Sequence, residues 1–225
     1  VQTCALPILT TDQVGALTAT QAKALTTTQL ASLNTDALAA LTTTQVDAMT
    51  ATQLNALSTD QIQALETADV AAIDVYQVAS LSTTMVSALS TDQVGALSAA
   101  QVGKLTTGQF AELSTDQLVA LSTTQMATVT AAQINALSSD QIQSLETADL
   151  QAFRASQIST LTTASFSSLT TDQVVSLTTD QVARVTAGQL ASLSTAQIDA
   201  MDTTQTAVLT ATQKSQLTTD QIGAL

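Results

Sequence analysis

The 225-residue chain has no histidine and no tryptophan, and its single cysteine, Cys4, and single proline, Pro7, both fall in the opening stretch VQTCALPIL. Without histidine the commonest general base and the commonest transition-metal ligand are gone, and one thiol builds neither an intrachain disulfide nor a thiolate metal cluster. Aromatic residues are 2% of the chain, so no core is assembled around rings. Charged residues are only 10%, and 18 acidic against 5 basic side chains leave a net charge of −13. That charge repels nucleic acid and anionic membrane surfaces. No apolar run approaches the roughly 18 residues that cross a bilayer. Apolar residues nevertheless make up 45%, enough to argue for a folded chain despite the abundant Thr and Ser. These absences lead us to expect no enzyme, no cofactor, no metal, no nucleic-acid partner and no membrane insertion.

What is present is a repeat. From Leu9 the chain divides into 27 ungapped blocks of eight, beginning LTTDQVGA, LTATQAKA, LTTTQLAS. Numbering positions within a block 1 to 8, position 1 is Leu in 21 blocks, position 2 is Ser or Thr in 21, position 5 is Gln in 22, position 6 is apolar in 25, and position 8 is Ala or Ser in 20. One register explains all of these preferences. A position-2 hydroxyl acts as a helix N-cap, and the Gln three residues on closes a capping box. Position 1 and position 6 then form the hydrophobic staple across the helix start. Asp at position 4, as in Asp12, Asp60 and Asp92, lies at N2 beside the positive helix end.

The expected fold is therefore all-α: residues 9–225 as a single octapeptide-repeat solenoid of very short capped helices, one per block, stabilised by neighbouring blocks. An unbroken helix would rotate its leucine stripe by about 80° per block and keep no apolar face. A β-solenoid is the alternative. It needs inward residues two apart, whereas position 6 and the next position 1 are three apart.

A ten-block period overlies the eight-residue one. TATQLNALSTDQIQALETADV from Thr50 matches TAAQINALSSDQIQSLETADL from Thr130. Position-4 Asp recurs at Asp12, Asp36, Asp60, Asp92, Asp116, Asp140 and Asp172. Ten blocks over three gaps gives about 3.3 blocks, our expectation for one superhelical turn. The densest acidic spot is Glu66, Asp69 and Asp74, with its partial copy Glu146 and Asp149. Solvated helix-start acids are the first reading of it, and a weak cation site is the second. Phe110, Phe153 and Phe166 occupy core positions, Tyr76 an exposed one, and Arg154 replaces a cap hydroxyl with no evident reason. We expect no catalytic, cofactor or metal residues.

Three resemblances bear on this reading. VQTCALPI resembles the translated end of a short-read sequencing adapter, which implies that residues 1–8 are non-native and that the chain is a fragment of a longer array. LTTDQVGAL, Leu9 to Leu17, is similar to the first helix of transcription-activator-like effector repeats, but lacks their proline, base-reading dipeptide and basic charge. From Leu9 to Leu225 the L-[ST]-x-x-Q-[VIL]-x-A pattern resembles octapeptide repeats of large bacterial haem-utilisation and adhesion-type exoproteins. That resemblance implies a structural or adhesive segment of a secreted or surface bacterial protein, acting as stalk or interaction surface, with an unknown protein or glycan partner. Haem binding is not expected without histidine. The alternative function is a regular Thr/Ala surface that binds an ordered lattice, ice or polysaccharide. Open solenoid ends would add self-association.

Thr206 and Lys214 place polar side chains at core position 6. Native-state hydrogen exchange should therefore find residues 201–216 less protected than residues 89–120. Equal protection would contradict the assignment of position 6 to the core.

Overall fold

The position-2 hydroxyl starts each helix and the following position 1 ends it, so the blocks translate directly into secondary structure. A computed structural model describes residues 9–225, and among them the chain forms 26 α-helices of four to six residues and no strand. The β-solenoid alternative is excluded for these residues. One block departs from the rule: Ile73–Ser80 contains only the 3₁₀ turn Val78–Ser80. Cys4, Pro7 and the adapter-like stretch 1–8 lie outside the described residues.

The helix starts follow the capping rules closely. N-cap residues are extended, as at Ser90 with φ −70° and ψ 164°. In 20 helices the cap side chain accepts from the N3 backbone while the N3 Gln accepts the cap N–H. Arg154 keeps only half of this arrangement: its N–H donates to Gln157 Oε1 at 2.7 Å, and a guanidinium has no acceptor to return the bond. Helix ends tighten into i→i−3 turns, such as Leu97 N–H to the Val94 carbonyl at 3.2 Å. No described residue has positive φ. The chain thus bends at every block without the left-handed glycine that usually ends a helix, and six glycines suffice for the whole sequence.

The described chain falls into two compact units, one ending at Leu113 and the other running from Ser114 to Leu225. Within each unit a helix packs against the helix three blocks away. In the first unit Thr43–Ala48 lies between Ala19–Ala24 and Thr67–Ala72; in the second Ala187–Ser192 lies between Thr163–Ser167 and Ala211–Lys214. Positions 1 and 6 fill the interior, with Leu54, Val94 and Phe110 fully buried in the first unit and Met126, Ile158 and Phe166 buried in the second. Burial of this kind stabilises helices too short to persist alone.

Position 5 does more than close its own cap. Gln189 Oε1 accepts the Thr186 N–H at 2.8 Å, and its Nε2 donates to the carbonyls of Ile158 and Leu161, both at 2.8 Å. Those carbonyls lie at and just past the C-terminal end of the helix Ala155–Ser159, four blocks earlier; that of Ile158 also accepts the Leu161 N–H at 3.2 Å, closing the last turn. The same two-ended bracket is made by Gln45, Gln53, Gln61, Gln93, Gln101 and Gln109 in the first unit. Gln173, Gln181, Gln205 and Gln213 make it in the second. Each bracket reaches back 31 and 28 residues. Since 28 divided by the eight-residue block is three and a half, each unit closes a turn between three and four blocks. The acidic spacing predicted that interval.

Two blocks lack the position-5 glutamine yet keep the cap satisfied. Met85 and Ser165 stand where Gln belongs. There the N–H of Ser82 donates to Asn55 Oδ1 at 2.7 Å, and that of Thr162 donates to Asn135 Oδ1 at 2.8 Å. Each asparagine comes from the block four earlier and also donates from Nδ2 to a backbone carbonyl, Ser80 or Thr160, at 3.1 Å. A lateral neighbour supplies the acceptor that the local sequence omits.

Gln189→Ala should lower stability by about 1–3 kcal/mol in urea unfolding, because it removes a cap acceptor and takes the bracketing donor from the buried Leu161 carbonyl, while the Ile158 carbonyl keeps the Leu161 N–H. Asn135→Ala should cost about 0.5–1 kcal/mol, an exposed capping bond. Adding Ser165→Gln should restore that loss, and a double-mutant cycle showing no coupling between the two sites would reject the compensation.

Candidate functional site

The chemically distinctive positions are those where the bracket carries the wrong group. Asp69 and Asp149 occupy position 5, in helices Thr67–Ala72 and Thr147–Ala152. They are buried, 2% and 1% exposed. The backbone N–H of Glu66 hydrogen-bonds the Asp69 carboxylate, and that of Glu146 the Asp149 carboxylate, the contact that Gln Oε1 makes elsewhere. The second oxygen, Oδ2, is sealed from solvent in both residues and has no hydrogen-bond partner. In the register of neighbouring Gln61, which donates to Leu30 and Leu33, position 5 of the block containing Asp69 faces the carbonyls of Leu38 and Leu41. Asp149 faces those of Leu118 and Leu121 in the same way. By register, then, a carboxylate acceptor stands at the position where the glutamine brackets bring a donor.

The electrostatics follow from this placement. Desolvation raises the Asp69 pKa above the usual carboxylate value; the Glu66 N–H opposes that rise and the Glu66 charge adds to it. Burial and the Glu146 charge push Asp149 up to about 6 against the Glu146 N–H. Asp202, an N-cap, moves the other way, lowered by the Thr204 hydroxyl and the Gln205 backbone N–H.

The acidic trio suggested by the sequence does not assemble as three converging ligands. Glu66 and Glu146 are exposed N-caps that make no side-chain cap bond. Asp74 is half-buried and accepts the Tyr76 N–H at 2.7 Å, closing a local turn. Among the described residues no group of three or more His, Cys, Asp or Glu side chains comes together. Position-4 acids, including Asp12, Asp36, Asp60, Asp92, Asp116, Asp140 and Asp172, are exposed, as their helix-start placement predicts. Phe110, Phe153 and Phe166 are core, and Tyr76 is 79% exposed. No helix among the described residues is long and apolar enough to cross a membrane.

Sequence reasoning placed the acids by block position but missed that position 5 is interior. The signal was there: Glu at position 2 occurs only in the two blocks that carry Asp at position 5. A hydroxyl–amide pair is replaced as a unit by a carboxylate pair.

No curated protein matches the chain. Residues 23–51, 31–67, 62–99, 70–107, 110–147 and 142–179 match the ALTTAQ repeat, a motif that runs from position 8 through the cap to the bracketing glutamine and is seen nearly unchanged as ALTTTQ at 24–29 and 40–45. With more than half its length matched in overlapping frames, and with those six positions forming the cap and bracket of the consensus helix, the chain belongs to the ALTTAQ repeat family.

Proposed function

We propose that this array is a structural and adhesive segment of a secreted or surface-bound bacterial protein, serving as stalk or interaction surface and carrying no reaction of its own. The observation that carries the reading is the glutamine bracket. Within each unit it ties the bracketed blocks to the ones four back and leaves Thr, Ser and Asp on the outside in an ungapped order. Such a scaffold holds its outer side chains at fixed spacings, which suits repeated weak contacts to a protein or glycan. The likeness to octapeptide repeats of haem-utilisation and adhesion-type exoproteins supports the same placement. The net charge of −13 disfavours nucleic acid and anionic membranes as partners.

The chain displayed on beads should retain bacterial or host-cell glycans or surface proteins, and the retention should survive replacement of the exposed carboxylates by amides. Thermal hysteresis in the same preparation would assign the outer threonines to a crystalline lattice instead. Absence of both would remove the adhesive reading.

A further inference from the structure

We propose that Asp69 and Asp149 make their turn-to-turn brackets proton-operated: protonated, each carboxyl group donates from Oδ2 to a main-chain carbonyl at the end of the helix four blocks back, and ionised, it withdraws that bond and loosens the contact. Geometry carries this assignment. Each oxygen sits at the one position in the block where a hydrogen-bond donor is otherwise supplied. It has no partner and no solvent around it. A proton needs no added room in a sealed site, whereas a hydrated cation or a water molecule does. A protonated carboxyl has one O–H donor and retains acceptor capacity, so it can accept the cap N–H and donate to one of the two carbonyls that a glutamine amide serves with its two N–H groups.

The surroundings offer no positive charge to hold the ionised form. Helix Thr67–Ala72 packs against Thr43–Ala48 and Thr91–Ala96 and faces the end of Thr35–Ala39. Their charged residues are Asp47, Asp92 and Asp36, all exposed. Around Asp149, helix Thr123–Met126 carries no charged residue, while Thr171–Ser176 and Thr115–Val119 bring the exposed Asp172 and Asp116. Glu66 and Glu146 add like charge from the caps, and Arg154, in the next block, is exposed. The raised folded-state pKa agrees in sign. The contribution is complete below the unfolded value of 3.8 and disappears as pH climbs through about 6 at Asp149. One such element lies in each compact unit, 80 residues apart (149 minus 69). Each unit therefore tightens in acid and relaxes at neutral pH.

Hydrogen exchange on the full chain, corrected for intrinsic rates, tests this at pH 5 and pH 7.5. Amides of Thr147–Ala152 should be protected about tenfold better at pH 5 than at pH 7.5, one decade per pH unit below the Asp149 value of about 6, and those of Thr67–Ala72 should change in the same direction. Asp69→Gln with Asp149→Gln installs the residue found in 22 of 27 blocks, so the variant should fold. It should show the acid level of protection at both pH values. Asp60→Asn, an exposed control, should leave the difference intact. Protection independent of pH in the parent chain would overturn the proposal. So would an unchanged pH difference in the double variant, or weaker protection of that variant than the parent at pH 7.5.

Discussion

One amide group holds the fold together. The position-5 glutamine closes the start of its own helix with Oε1 and the end of a helix four blocks earlier with Nε2. Short helices have a severe polar problem, because nearly all their backbone groups are terminal and lack intrahelical partners. Here the Ser or Thr cap satisfies one donor, the glutamine oxygen another, and the glutamine nitrogen two acceptors elsewhere. The leucine and valine core supplies the drive to collapse, and the bracket fixes which block meets which. An amide suits this position because a carboxylate lacks the donor and an alkyl group lacks both ends.

The bracket also explains why block length tolerates no change. A reach of 31 and 28 residues holds only if every intervening block contributes eight. A single inserted residue would rotate position 5 away from the carbonyls of every bracket spanning it. The departures from consensus are handled from the side. Asn55 and Asn135 stand in for missing acceptors. Asp69 and Asp149 are different, since no hydrogen bond reaches their Oδ2 atoms to replace the absent donor, and that is what makes them chemically eventful.

The helices, their register and the apolar interior were legible in the sequence because capping is local. Ser90, Gln93 and Val94 announce a helix start within five residues, and the structure forms it there. The turn interval was foreshadowed by the spacing of Asp12, Asp36 and Asp60. The second half of each bracket was not legible. It joins residues such as Gln109 and Val78, 31 apart, and follows from how tightly the chain coils rather than from any short motif. For the same reason Gln101, a strongly polar residue at 1% exposure, looks in the sequence like a helix-start residue at the surface. The 3₁₀ block at Ile73–Ser80 was likewise unforeseen, although Asp74 engaging Tyr76 in a local turn gives the physical reason.

The backward reach of the amide gives synthesis a direction. On a ribosome, a newly emerged helix finds glutamine-accepting partners behind it at once, yet its own trailing carbonyls wait until the fourth following block leaves the exit tunnel. A nascent array thus carries a front of constant depth, about one coil of unfinished chain, however many blocks precede it. Aggregation risk during translation would then stay fixed while length grows, allowing very long arrays to be made without an escalating demand on chaperones.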